Sequence, residues 1–268
     1  MSFPGLAGDP ETPSVARIYD YLLGGHHNFP ADRAAAEQAL AANPDMRLIM
    51  QANRGFLRRA VTFMIGEGIS QFLDLGSGIP TVGNVHEVAQ NANPTARVLY
   101  VDIDPVAVAQ SAALLAGNPN ASVIQADVRD PKQILDHPEA RRLLDLRQPI
   151  GVLLVSLLHF IPDTSEARQL VQHLREAVAP GSYMVISHAG MEYEEAKRWL
   201  DRAVQAYSRS TTPITPRTRA EIASFFEGLE LVEPGLVDVP LWRPEGPHDV
   251  LLDDPKRANG VAGVARKP

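Results

Sequence analysis

Cysteine is absent from the 268 residues, which excludes disulfides, thiolate metal sites and a cysteine nucleophile. Concentrated positive charge is missing too. No run of Lys or Arg exceeds two residues, and the formal net charge is −7. A nucleic-acid groove needs a basic surface, because phosphate neutralisation supplies most of the affinity, so nucleic acid is not expected as a partner. Long apolar runs are lacking as well. The longest, Ile150 to Leu158, is under half of what spans a bilayer, so a membrane is not expected either. The opening Met1-Ser2-Phe3-Pro4-Gly5 shows no basic region followed by an apolar stretch, and the expected location is the cytoplasm.

What is present suits a folded α/β protein. The hydrophobic fraction of 45% and charged fraction of 21% are ordinary for a globular chain. A chain of this length buries roughly 75% of its unfolded surface without staples. Residues 1–12, rich in Gly, Pro and acid, read as a frayed tail. Thr12-Pro13 then reads as a helix cap and first helical position, with Val15, Ile18, Tyr19 and Leu22 at helical spacing and Gly24-Gly25 as a stop. Helices are expected over 31–42 and from about 46 to 65. The first 66 residues thus form a helical segment, or lid, ahead of a second unit over 67–268.

From Ser70 the pattern becomes strand–helix alternation. Strands are expected at Gln71–Leu75, Arg97–Asp102, Ala121–Gln125, Ile150–Leu157 and Ser182–Ser187. Helices are expected between them at about 82–90, 106–115, 132–146 and 165–178. Further helices are expected over 192–207 and 217–226, and strands at Leu229–Val239 and Gly260–Ala265. Such alternation means βαβ units with right-handed crossovers, hence a doubly wound, mostly parallel, Rossmann-like sheet.

The first strand-to-helix turn carries the chemistry. Asp74-Leu75-Gly76-Ser77-Gly78 places two glycines where a nucleotide must approach the backbone closely. Asp74 stands where a carboxylate can face an ammonium. Asp102 ends the second strand, 24 residues after Gly78, where it can accept both ribose hydroxyls. A solvated acid or a helix cap is the plainer reading of such an Asp, but Asp104, directly before Pro105, suits the cap better. Ile103, Asp127 and Val128 follow at the next strand edges, with Asp127 a partner for an adenine amino group and Val128 packing on the ring. A dinucleotide fingerprint would place Gly at Thr81, and entry through Pro80 removes one N–H from any phosphate. S-adenosylmethionine (SAM), which has no phosphate, fits this turn better than NAD.

The order Asp-Leu-Gly-Ser-Gly, Val101-Asp102-Ile103-Asp104, Ala126-Asp127-Val128 and Leu158-His159-Phe160 resembles the motif series of class I methyltransferases. More specifically, several blocks resemble an actinobacterial S-adenosyl methyltransferase family: Ala16-Arg17-Ile18-Tyr19-Asp20-Tyr21 with Gly24-Gly25, Asn28-Phe29 and Asp32-Arg33; Ala52-Asn53-Arg54 with Phe56 and Arg58-Arg59; Gly78-Ile79-Pro80-Thr81; Val239 to Pro244; and Gly263 to Pro268. The likeness covers nearly the whole chain. It implies a seven-stranded sheet with an antiparallel last strand and SAM as cofactor, and names no acceptor. The family pattern has Lys-Asp where this chain has His26-His27, so no charge-based role carries over to that loop.

On the acceptor side, Ser156, His159 and Phe160 leave the fourth strand, and Ser187 and His188 the fifth. Ligands bind outside the carboxyl ends of strands near the switch point, so the two histidines are the candidate catalytic residues, with Ser156 nearer the cofactor. Tyr19, Asn28 and Arg54 are candidates in the lid, Arg54 for the methionine carboxylate through its bidentate fork. His26, His27 and His248 do not suggest a metal site, since adjacent histidines point apart and no carboxylate completes the set. The expected function is methyl transfer from SAM to an O or N nucleophile of a small molecule. The alternatives are a SAM-binding sensor without catalysis and an NAD(P)-dependent oxidoreductase.

Overall fold

The runs of aliphatic residues after Ser70 form the centre of a single sheet. A computed structural model describes residues 9–80, 83–193 and 214–268. Strands β1 (Gln71–Leu75), β2 (Arg97–Asp102), β3 (Ala121–Gln125), β4 (Gly151–Val155) and β5 (Tyr183–Ala189) pair in parallel in the order β3-β2-β1-β4-β5. Strand β8 (Gly260–Arg266) runs antiparallel to β5. Its other edge pairs with two short antiparallel pieces, β6 (Glu230–Leu231) and β7 (Val237–Asp238). The strand order reverses between β1 and β4, and ligands of such sheets bind at that switch point.

Both faces of the sheet are covered, as a parallel sheet requires. Leu73, Leu75, Leu99 and Val101 point to one side, where they join Ile134, Leu170 and Phe225. Phe72, Val98 and Tyr100, one residue out of phase, point to the other and join Phe56, Ala60, Met64 and Trp242. Helix α3 (Met46–Gly66) therefore belongs to the sheet's own core. Helices α1 (Val15–Leu22) and α2 (Pro30–Ala42) share a separate apolar cluster of Ile18, Leu22, Ala36 and Ala39, to which the first turn of α3 adds Met46.

Local sequence decides where the remaining elements stop. Helix α4 spans Val85–Ala92 and α5 spans Pro105–Leu114, the latter capped by Asp104, whose carboxylate accepts Val106 N–H at 2.7 Å. The single helix expected over 132–146 is instead two, α6 (Pro131–Asp136) and α7 (Pro138–Leu143). Pro138 has no N–H to continue the first helix, and His137 is extended. Helix α1 starts at Val15, with Ser14 as its cap rather than Thr12. The strand expected over Leu229–Val239 is interrupted by Glu233-Pro234-Gly235, which leaves only β6 and β7 paired. Strand β4 ends at Val155, two residues early, because Ser156 turns into the left-handed region at φ 54°.

Helices α8 (Thr164–Ala177) and α9 (Arg219–Ala223) complete the layer on the Leu73 side. The expected helix over 192–207 falls mostly outside the described residues, as do Thr81 and most of the expected tail. Among the described residues no helix is long and apolar enough to cross a membrane.

Candidate cofactor and acceptor site

The turn after β1 bends as its glycines allow. Gly76 and Gly78 both lie at φ +67°, a conformation that L side chains rarely adopt. A Cβ at Gly76 would also meet Leu157 Cδ1 at 2.6 Å, whereas one at Gly78 would project into open space. Gly76 N–H and Ser77 N–H donate to Val101 O at 2.8 and 3.1 Å, which fastens the turn to β2. Asp102 completes the fastening: its carboxylate accepts Gly78 N–H at 2.7 Å and Asp104 N–H at 2.8 Å.

Asp102 and Asp74 are both buried beneath a cavity of about 490 Å³ that lies over the carboxyl ends of β1, β2, β4 and β5. Burial pushes the Asp74 carboxyl up to about 7; Arg54 draws it down and Asp102 raises it further. Asp102 is pushed up to about 6, again by burial first, against the backbone N–H groups of Asp104 and Gly78. Two buried carboxylates at the base of a cavity are short of positive charge. A ligand carrying an ammonium and a sulfonium would supply it. Each Asp102 oxygen retains a lone pair beyond its amide bond, so two hydroxyls can still be accepted. Beside it Ile103 is 59% exposed, a large apolar side chain open on the cavity wall that Val128 also lines. A flat heterocycle would bury both. The residues present thus fit SAM, and the volume lies within the range for small-molecule sites.

Helices α1 and α2 are tied to this base by a buried ion cluster. Arg17 Nε donates to Asp32 Oδ2 at 2.8 Å and Nη1 to Asp104 Oδ2 at 3.2 Å, with all three side chains buried. Ser14 adds a hydroxyl bond to Asp104 and donates its N–H to Asp32 at 2.8 Å. Asp104 therefore caps α5 and clips α1 over the cavity at once. Asn53 in α3 links the other side. Its Oδ1 accepts Ser187 Oγ–H at 2.6 Å, and its Nδ2 donates to the Tyr19 hydroxyl at 3.1 Å.

Most of the expected site residues line this cavity: Asp74, Gly76, Ser77, Gly78, Asp102 and Ile103 at its base, Asp127, Val128 and Ser156 along the strand edges, and Tyr19 from α1 and Arg54 from α3. The Arg54 guanidinium stacks 5.9 Å from the Tyr19 ring centre. Asn28 is placed elsewhere. Its amide donates to Asp20 Oδ2 at 2.8 Å and to Gly25 O at 3.0 Å, which holds the loop between α1 and α2, and it does not reach the cavity. Asp127 reaches the rim, but its carboxylate is gripped by Arg129 Nε at 3.0 Å, which holds it below the usual carboxylate range.

His159 and His188 meet at the exits of β4 and β5, ring centres 5.3 Å apart, and both line the cavity. Burial pulls His188 down to about 4 and His159 well below its ordinary value, so both are neutral at pH 7. His188 cannot take a proton from a ligand, because both its nitrogens are engaged: Nδ1 lies 2.8 Å from Ala189 O, and Nε2 faces Arg217 Nη1 at 2.9 Å. Sequence reading missed Arg17, Asp32, Asn53 and Arg217. Three of them fall in the amino-terminal blocks that carry the family resemblance; Arg217 had no signal at all.

A family model described as S-adenosyl methyltransferase matches residues 7–268. A candidate methyltransferase from Thermobifida fusca is 44% identical, over 98% of this chain and 97% of that one, with a TM-score of 0.90. A duf574 family protein from Streptomyces avermitilis is 40% identical, over 97% and 99%, with a TM-score of 0.92. The pyocyanin biosynthetic protein PhzM, at 19% identity and a TM-score of 0.50 over 85% of this chain and 60% of that one, is similar in fold alone. Among curated proteins the chain has no match. With the match spanning the glycine turn, the acidic strand ends and the amino-terminal helices alike, the chain belongs to the S-adenosyl methyltransferase family and is a SAM-dependent methyltransferase of the class I fold.

Proposed function

We propose that this enzyme moves the methyl group of SAM to an O or N nucleophile of a small molecule held in the same cavity. The observation that carries this is the cavity's continuity. It runs from Gly78 and Asp102 past Ser156 to His159 and His188, roofed by α1 and α3. When bound, SAM supplies an activated methyl on a sulfonium that leaves readily. The chain's own part is to hold the two reactants in line and exclude water, which is where proximity catalysis acts. Asp102 orients the ribose, Asp74 and Arg54 the amino-acid end, and Ile103 with Val128 the adenine. Ser156, whose N–H donates to Ser187 Oγ at 2.9 Å, sets the wall between cofactor and acceptor.

SAM and its demethylated product should each raise the melting temperature, and NAD should not. At 100 times the dissociation constant the stabilisation is about 2.7 kcal/mol, well within reach of a thermal-shift assay. A shift with NAD alone would remove the assignment of these residues to SAM.

The two raised carboxyls also predict a pH dependence. Their folded values, about 7 for Asp74 and about 6 for Asp102, lie above the ordinary 3.8. Proton uptake by the folded state therefore stabilises the ligand-free protein below pH 4, and that contribution is lost as pH rises through 6 to 7. A cationic ligand favours the ionised carboxylates, so SAM affinity should rise over the same interval, with protons released on binding near pH 6.5. Calorimetry in buffers of different ionisation enthalpy measures that release. No release and a flat affinity between pH 5.5 and 8 would mean these carboxylates do not face the ligand's charges.

A further inference from the structure

The acceptor end of the cavity holds a chain of hydrogen bonds whose direction is set by groups that can only donate. Arg217, fully buried just before α9, gives N–H bonds to Leu158 O at 2.9 Å, Ile161 O at 2.7 Å and Thr164 Oγ1 at 3.0 Å. Its Nη1 also faces His188 Nε2 at 2.9 Å. A guanidinium has no lone pair to offer, so Nε2 accepts and the His188 proton lies on Nδ1, which donates to Ala189 O at 2.8 Å. The N–H of Ala189 in turn points at His159 Nδ1, 3.3 Å away. A backbone N–H only donates, so Nδ1 of His159 accepts and the neutral ring carries its proton on Nε2. Among the described residues none is hydrogen-bonded to that Nε2, and the ring lines the cavity.

The polarity of this end follows. His188 has no lone pair to spare, and His159 presents a hydrogen. Ser187 Oγ donates to Asn53 and receives Ser156 N–H. The Tyr19 hydroxyl receives Asn53 Nδ2 and donates to Met50 O at 3.2 Å. The carboxylates Asp74 and Asp102 stand at the far, glycine-turn end. The charged groups that bear on the two rings are Arg217 and, beyond it, Glu221 and Asp163. Helices α1 and α3 add the apolar side chains of Ile18, Leu22, Met46, Met50 and Leu57 to the cavity lining.

Resting on the reading of this cavity as a joint cofactor and acceptor site, we propose that the acceptor is an oxygen acid on an apolar body, such as a carboxylic acid or an acidic phenol, which enters already ionised with its oxygen held by His159 Nε2–H. The Ala189 N–H fixes the His159 tautomer, and Arg217 and His188 act as positioning residues that anchor the Ala189 carbonyl. The anionic oxygen provides the electron pair of the new C–O bond, the methyl C–S bond breaks with its pair kept by sulfur, and both partners finish neutral. No proton needs a base. An alcohol would require one, and an amine would leave a proton to shed. Bringing opposite charges together in a weakly polar cavity favours the anion further.

The test uses the full-length ¹⁵N-labelled protein and long-range ¹H–¹⁵N spectra of its histidines, with SAM absent and then present. His159 Nε2 should be of the protonated, pyrrole type, and 4-nitrophenolate and benzoate should shift it. Benzyl alcohol and benzylamine, of similar size, should bind at least tenfold more weakly. His159→Gln, whose amide can still donate, should keep the preference for the anions, and His159→Phe should lose it. Where a phenol is methylated, the alkaline-side rise of kcat/KM should follow the ionisation of the phenol used as phenols of different acidity are compared. A pyridine-type Nε2 overturns the proposal. So does the absence of any preference for the anions, failure of all probes to bind included, and so does a kcat/KM limb that stays fixed across the phenols. SAM that left the Gly78 and Ser156 amides unmoved would instead remove the joint-site reading, with the tautomer result standing.

Discussion

Replacing Asp102 with alanine is expected to weaken SAM binding by about tenfold to more than a hundredfold, since hydrogen bonds to a charged group are worth roughly 1.5–3 kcal/mol. The effect on the fold should be smaller than the two amide bonds from Gly78 and Asp104 suggest. A carboxyl held at about 6 instead of 3.8 is an ion that folding disfavours by about 3 kcal/mol, and its removal relieves that cost. Asp104→Ala should behave in the opposite way. It costs the α5 cap, about 1 kcal/mol, and leaves buried Arg17 without one of its two acidic partners. Stability falls, and affinity follows only as far as the lid loosens. Calorimetric Kd values beside urea unfolding curves separate the two. Loss of binding in Asp104→Ala with binding intact in Asp102→Ala would move the ribose contact off Asp102.

That contrast also shows how far sequence carries. Strands β1 and β2 could be placed to the residue, because a strand buried on both faces reads as an apolar run with sharp polar ends. The glycine turn and Asp102 were legible because their spacing follows from one βα unit. Asp104 was legible only as a cap; its second task needs Arg17, 87 residues away, and an arginine in an amphipathic helix reads as solvated. Arg217 is harder still. Among the described residues it has no hydrogen-bonded acid, and its partners are carbonyls, a hydroxyl and an imidazole that only tertiary folding brings to it. The histidines were placed at neighbouring strand exits, but which nitrogen carries each proton depends on the backbone of Ala189. Asn28 misled because Asn is as useful for closing a loop as for binding a ligand.

Arg17→Met should give the largest loss of stability, about 3–5 kcal/mol, because it leaves Asp32 and Asp104 buried as ions without their shared cation. Methionine keeps much of the stem's packing and gives up the guanidinium's stacking on Phe29, whose ring lies 5.0 Å from it, so the loss reports charge more than volume. It should be concentrated in the lid. Asp32 also accepts Phe29 N–H at 2.7 Å and Ser14 N–H at 2.8 Å, so α1 and α2 share that carboxylate, while the sheet's two cores contain none of these residues. Amide exchange over residues 15–42 should therefore speed by orders of magnitude while strands β1, β4 and β5 keep their protection. SAM affinity then falls in proportion to the fraction of molecules whose lid remains closed, and saturating SAM should restore part of the lost protection. If residues 15–42 exchange at the wild-type rate and SAM binds as before, the Arg17 cluster is not what holds the roof on the cavity, and the α1–α2 packing through Ile18, Leu22, Ala36 and Ala39 must hold it alone.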